Sequence, residues 1–174
     1  MNKADPSIGY ARMIKGEKLC VFLSHTKADQ HIAIELGNFL MNQLGVDIYL
    51  DVFDSELREA VSTANDSKIV NSITHGLKVS HILLCIVSDK TRLSWWVPYE
   101  IGVADCSDIK VVSLRTKQID DFPSFLKTKE TVNSLATLVE YILKHKKYGS
   151  LFYSEQDASD ILREGIGSLD KHFE

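Results

Sequence analysis

Four short stretches of the chain are almost continuously apolar, a pattern typical of strands that are buried on both faces of a parallel sheet. They lie at residues 19–23, 46–50, 82–87 and 110–114. Between and after them, apolar residues recur every three or four positions, which predicts helices with one buried face. Because such strands and helices alternate along the chain, we predict an α/β fold with helices on both faces of a parallel sheet.

The predicted helices are marked by apolar stripes and by residues that start or stop helices. The first helix carries the stripe Ile32, Leu36, Phe39 and Leu40, and Gly45 follows it as a helix stop. Further helices are predicted to begin near residues 66 and 98 and to occupy residues 131–145 and 154–173. Residues 54–64 are charged and predict a loop that holds a short helix.

Length and composition narrow the class of protein. A chain of 174 residues suits one domain, with residues 1–17 as an N-terminal extension and residues 148–174 as a C-terminal helical extension. A net charge of −4 without a long basic run argues against nucleic-acid binding. The three cysteines include no C-x-x-C pair, so we expect reduced thiols rather than disulfides or zinc. Without a signal-peptide core or a run of about 18 apolar residues, we expect a cytoplasmic protein that does not span a membrane.

Residues 94–100, of sequence SWWVPYE, follow the third predicted strand and carry the clearest candidate for chemistry. Pro98 suits the first turn of a helix, which places Glu100 in that turn, near unpaired N–H groups and the positive end of the helix dipole. Ligands of open α/β sheets bind at the carboxyl ends of the strands. We therefore predict that Glu100 is a catalytic carboxylate facing an open cavity at the rim of the sheet.

The substrate-binding residues expected beside it end neighbouring strands or flank the same helix: Ser24, His25, Asp51, Ser88, Trp95 and Trp96. Either tryptophan is placed to stack on an aromatic ligand, although one of the two is expected in the core. Ser24 and Asp51 are also suited to capping the segments that follow them. His25 has no second ligand at metal spacing, so no metal site is predicted.

Two sequence boxes resemble those of Toll/interleukin-receptor (TIR) domains. Residues 23–25 (LSH) at a strand end, followed by Asp29, resemble the first TIR box, F-[IL]-S-[YH]-x-x-x-D. Ser94, Trp96 and Glu100 resemble the S-x-W-x-x-x-E box of the same family. The resemblance covers about residues 18–147 and implies a flavodoxin-like, three-layer fold whose central parallel sheet has about five strands.

Two parts of the chain match the TIR pattern less completely. Asp51 matches the acidic position before the family's BB loop, but residues 52–64 contain neither the glycine nor the proline of many BB loops. This departure weakens any expectation of adaptor-type docking through that loop. The fifth strand has no clear apolar run. Residues 118–131 are one place for it, but Phe122 and Pro123 favour a loop there, so its position stays open.

The resemblance implies one of two functions. Many bacterial and plant members cleave NAD at the nicotinamide–ribose bond with the glutamate of the second box, which is Glu100 here; NAD is then a substrate, and no cofactor is expected. The product is ADP-ribose or a cyclic isomer, which in antiviral systems of the Thoeris type activates a separate effector protein. Other members are non-catalytic interaction modules. Self-association through TIR–TIR contacts is expected in both cases.

Two related α/β folds remain as alternatives. Nucleoside deoxyribosyltransferases also break N-glycosidic bonds with a glutamate, and a panel of nucleosides would separate them from NAD-cleaving enzymes. A response-regulator receiver is suggested by Asp51 at a strand end. However, Ser24 and His25 replace the paired acids expected after the first strand, and only one strand–helix unit precedes Asp51 where a receiver has two.

Overall fold

The computed structural model describes residues 18–50, 66–117, 119, 122–146, 155–165 and 167–173. The strands in these ranges are β1 (Cys20–Ser24), β2 (Asp47–Tyr49), β3 (Ile82–Val87), β4 (Lys110–Arg115) and β5 (Glu130–Val132). The helices are α1 (Gln30–Leu44), α2 (Asp66–Lys78), α3 (Trp96–Cys106), α4 (Leu135–His145) and α5 (Glu155–Gly165).

The five strands form one sheet in the order β2-β1-β3-β4-β5, and every pair is parallel. This is the strand order of flavodoxin-like folds, in which the chain reverses its direction of winding between β1 and β3. The predicted parallel α/β fold is therefore confirmed. The reversal places the carboxyl ends of β1 and β3 side by side, at the edge where such folds bind ligands.

Each face of the sheet has its own apolar core, because side chains alternate along a strand. Val21 and Leu23 of β1 pack with α1 and α4, whereas Phe22 between them packs with α2 and α3. The result is three layers, with helices on both sides. Helix α3, which carries Glu100, lies on the face marked by Phe22.

Two glycines have distinct structural roles, one at a helix end and one in the packing of a helix on the sheet. Gly45 ends α1 with a φ of 61°, and its N–H bonds to the carbonyl of Leu40, as expected for a helix stop. Gly76 of α2 lies against Tyr49, whose ring stacks on Phe22 with centroids 5.4 Å apart. A Cβ at position 76 would collide with that ring, so the approach of α2 to the sheet requires glycine.

The fifth strand and the helix after it differ from the sequence prediction. Thr131, predicted as the first helical residue, lies in β5, and α4 begins only at Leu135. The cause is Ser134, whose hydroxyl accepts the N–H of Thr137 while the Thr137 hydroxyl bonds back to the Ser134 N–H, a capping box that fixes the helix start. Within α4, burial, reinforced by the charge of Glu130, raises the pKa of the Tyr141 phenol to about 12.

The helix of the C-terminal segment is shorter than the predicted residues 154–173, and the residues after it pack on the main core. Helix α5 ends at Gly165, and a 3-10 turn, Leu169–Lys171, follows Gly167, whose φ is 51°. Leu169 and Phe173 are 3 % and 1 % exposed and pack among the apolar residues of α1 and α4. Across the described part of the chain, no helix is both long enough and apolar enough to cross a membrane.

Candidate active site

A row of small polar side chains crosses the sheet beneath α3. Ser24, at the end of β1, is in register with Cys85 of β3, which is in register with Ser113 of β4. All three share the sheet face of Phe22, because each lies an even number of positions from an apolar residue on that face. Ser24 and Ser113 are 1 % and 0 % exposed. We call Ser24, Cys85 and Ser113 the polar row.

Glu100 lies directly over this row. Its carboxylate accepts a hydrogen bond from the Ser24 hydroxyl at 2.5 Å, and the residue is only 4 % exposed. Ser24 thus donates to a carboxylate rather than capping the segment that follows it. Thr26 precedes the 3-10 turn Lys27–Asp29, and Asp29 holds the N-cap position of α1. A buried carboxylate that accepts a hydroxyl donor is held in one orientation, as a group that must meet a reacting atom requires.

Two expectations about Glu100 were wrong. Helix α3 begins at Trp96, so Glu100 is in its second turn, beyond the unpaired N–H groups of the first. The early start follows from Ser94, whose hydroxyl accepts the Val97 N–H at 3.2 Å, while Pro98 still lies in the first turn. In addition, the carboxylate is buried against the sheet rather than open to a cavity.

The pKa of the Cys85 thiol reflects the burial and the negative charges around the polar row. Burial raises the pKa of its thiol, and the negative charges of Glu100 and Asp29 raise it further. A thiol held protonated in this way is neither a nucleophile nor a metal ligand. Cys85 is therefore a buried reduced cysteine, and the acid chemistry of the site belongs to carboxylates.

The second carboxylate, Asp29, was not predicted as a site residue. It is 2 % exposed and accepts hydrogen bonds from Thr26 at 2.7 Å and from Ser88 at 2.6 Å. Ser88 also receives the Lys90 N–H, so Asp29 ties the start of α1 to the loop that leads into α3. The hydroxyl of Ser88, which was predicted to bind substrate, is thus already hydrogen-bonded to Asp29 and to the Lys90 N–H. Two sequence signals pointed to Asp29: its place as the acid of the first TIR box and the Thr26-x-x-Asp29 spacing.

Two predicted polar site residues remain, His25 and Asp51, and the structure describes only the first. His25 is half-buried, and its Nδ1 lies 3.2 Å from the Leu23 carbonyl at the rim of the site. Asp51 lies outside the described residues. Among the residues that the structure describes, no three His, Cys, Asp or Glu side chains are grouped so as to hold a metal ion.

The two tryptophans occupy different surroundings from those expected, since neither is in the core. Trp95 is 91 % exposed, and Trp96 is 36 % exposed and packs edge-on against Tyr99 with ring centroids 6.0 Å apart. Trp96 and Glu100 are four residues apart on α3 and therefore lie on the same side of the helix. Of the two indoles, Trp96 is the one on the side of α3 that carries Glu100.

Comparison with known proteins agrees with the two boxes. A family model described as a TIR domain matches residues 21–141, which is more than half of the chain. The match includes both boxes, Glu100 and all five strands except the first residue of β1. A search of curated proteins found no match.

Proposed function

The chain belongs to the TIR-domain family, and we propose that it is an enzyme that cleaves NAD at the bond between nicotinamide and ribose. TIR domains include NAD-cleaving enzymes as well as modules that associate with one another. The observation that carries the proposal is the Ser24–Glu100 contact, which holds a buried carboxylate at the ligand-binding edge of the sheet.

A single carboxylate is sufficient for this reaction. The nicotinamide ring of NAD is cationic, so it leaves as a neutral molecule with the electron pair of the C1′–N bond and needs no general acid. The ribose that remains has the character of an oxocarbenium ion, whose positive charge Glu100 would stabilise. The carboxylate then accepts the proton of the attacking water, or of a substrate hydroxyl if the product is cyclic.

The neighbouring residues have supporting roles in this proposal. Ser24 is a positioning residue, because its hydroxyl orients the carboxylate through the 2.5 Å hydrogen bond. Trp96 offers a partly exposed aromatic surface on the side of α3 that carries Glu100, suited to stacking on nicotinamide. In this proposal His25, at the rim, contacts the ribose.

The proposal extends to what the product does. ADP-ribose or its cyclic isomer would act as a signal that a separate effector protein senses, as in antiviral systems of the Thoeris type. Family membership is the support for this part. It is tested by infecting cells that carry the protein and its neighbouring genes with phage: protection that depends on Glu100 supports signalling, and equal protection by Glu100→Gln contradicts it.

The catalytic part is tested with purified full-length protein and the fluorogenic etheno analogue of NAD. We expect Glu100→Gln to lower the rate of nicotinamide release by about a hundredfold or more. Glu140→Gln is the matched control, because Glu140 is an exposed glutamate on α4. The assay covers a range of protein concentrations, since TIR enzymes are often active only when assembled. No release by the wild type at any concentration would refute the proposal.

A second candidate function, association without chemistry, is favoured by one specific observation. Leu93 and Trp95, just before α3, are 76 % and 91 % exposed, and large apolar side chains at such exposure suit a protein contact. Sedimentation of the wild type and Trp95→Ala across a concentration series tests this role. Full biological function in Glu100→Ala, together with loss of assembly in Trp95→Ala, would favour association alone.

A further inference from the structure

We propose that Arg115 binds the diphosphate of the nucleotide substrate, an inference that rests on the proposed NAD chemistry. Arg115 is the last residue of β4, in register with Val87 at the end of β3. It lies two positions beyond Ser113 and therefore on the same sheet face as the polar row and α3. Its backbone is fixed at the carboxyl edge, because the N–H of Thr116 bonds to the Val87 carbonyl at 2.9 Å.

The guanidinium of Arg115 is held in place but retains most of its hydrogen-bonding capacity. It lies 5.4 Å from the centroid of the Phe122 ring, and it donates one long hydrogen bond of 3.5 Å to the carbonyl of Ile119. Among the described residues, no carboxylate forms a salt bridge with it. A half-buried guanidinium has five donors, so four remain available for a ligand.

The sheet geometry relates Arg115 to Glu100. Adjacent strands are about 4.8 Å apart and rise about 3.3 Å per residue, so Arg115 lies about 10 Å across from Ser24 and about 7 Å beyond it toward the carboxyl edge. Ser24 marks the position of the Glu100 carboxylate. In NAD the diphosphate is separated from the bond that breaks by one ribose. A long basic side chain at this offset therefore suits the diphosphate when the scissile bond is at Glu100.

The hydrogen-bonding chemistry of the Arg115 guanidinium also matches that of a diphosphate. A diphosphate presents paired oxygens with negative charge, and arginine binds such oxygens through two parallel N–H donors. The nearest basic residue along the chain, Lys117, is already engaged: its Nζ donates to the Asp170 carbonyl at 2.6 Å, and its N–H donates to the His172 carbonyl at 2.8 Å. Unlike Lys117, Arg115 thus remains open to a phosphate group at this edge.

Binding of ADP-ribose tests the inference without requiring catalysis. Isothermal titration of the full-length wild type is compared with Arg115→Gln and with Arg163→Gln, a matched control on the surface of α5. We expect Arg115→Gln to weaken ADP-ribose binding by about tenfold to a hundredfold and the control to have no effect. Adenosine, which has no phosphate, should bind equally to all three proteins. Equal ADP-ribose affinity in wild type and Arg115→Gln, or no binding by the wild type, would overturn the assignment.

Kinetics separate this inference from the proposed function. Arg115→Gln should raise the KM for NAD by the same factor while kcat changes less than about twofold, since the diphosphate is bound equally in the ground and transition states. Arg115→Lys keeps the charge and should recover part of the loss. A melting temperature within the range of the control shows that each variant is folded. If the wild type releases no nicotinamide, the proposed function fails, and the ADP-ribose titration still decides the role of Arg115.

Discussion

Replacing Ser24 with alanine removes the hydroxyl that donates to Glu100 at 2.5 Å. The side chains of both residues are enclosed, with exposures of 1 % and 4 %, so water does not readily replace the lost donor. The substitution therefore leaves a buried carboxylate with one donor fewer. It changes no apolar contact of comparable size, because serine and alanine differ by a single oxygen.

The magnitude follows from the charge and burial of the pair. A hydrogen bond to a charged group contributes about 1.5–3 kcal/mol. For a domain of this size, such a loss lowers the melting temperature by roughly 3–12 °C. If the oriented, ionised carboxylate is the catalytic group, the same loss lowers kcat by about tenfold to a hundredfold.

Ser113→Ala is the matched control within the polar row. Ser113 is 0 % exposed on the same sheet face, and no partner among the described residues hydrogen-bonds its hydroxyl. Removing an unsatisfied buried hydroxyl is expected to be neutral or stabilising. The assays are thermal unfolding and nicotinamide release, with both substitutions also made in the Glu100→Gln background. There the cost of Ser24→Ala should fall to about 1 kcal/mol or less, because a neutral acceptor gives a weaker bond.

Three outcomes would refute this reasoning. Equal melting temperatures for Ser24→Ala and Ser113→Ala would mean that the hydroxyl contributes nothing to the buried carboxylate. An unchanged kcat would mean that Glu100 does not depend on Ser24 during the reaction. An undiminished cost of Ser24→Ala in the Glu100→Gln background would place the effect elsewhere.

Three further predictions test other parts of the structure. Trp96→Ala should lower kcat/KM by about tenfold, whereas Trp95→Ala should change it less than about twofold if Trp95 does not contact substrate; equal effects would contradict this division. Gly76→Ala should destabilise the fold by about 1–3 kcal/mol through its collision with a packed ring, and Gly102→Ala, at a site with open space, should stabilise α3 by about 0.5–1 kcal/mol; urea unfolding checks both. Because the pKa of Tyr141 is raised to about 12, the contribution of this phenol to stability should be constant below about pH 10 and decline from about 10 to 12 as only the unfolded phenol ionises. Denaturation of Tyr141→Phe should lack that decline.

The fold was largely predictable because its central strands are buried on both faces. The predicted limits of β3, residues 82–87, agree with the structure because every residue there faces an apolar layer. The edge strand β5 has three residues of sequence ETV, of which only Val132 is buried, so it carries no apolar run to recognise. Its position depends on pairing with β4, a contact that local pattern does not encode.

The site was only partly predictable because its contacts join distant parts of the chain. Glu100 and Ser24 were selected as separate candidates, but the bond between them spans 76 positions and required the folded sheet. Asp29 was missed because its partner Ser88 is 59 positions away. The start of α3 was misplaced by two residues because Pro98 is compatible with any position in the first turn, and the Ser94 hydroxyl decides among them.

The most direct test of Glu100 as the catalytic carboxylate is product analysis by mass spectrometry. Concentrated wild-type protein, Glu100→Gln and Glu140→Gln are incubated with NAD, and nicotinamide, ADP-ribose and cyclic isomers are quantified over time. We predict equal release of nicotinamide and of ADP-ribose products by the wild type and Glu140→Gln, and at least about a hundredfold less by Glu100→Gln at an unchanged melting temperature. Identical product yields with and without the Glu100 carboxylate would contradict the proposed chemistry.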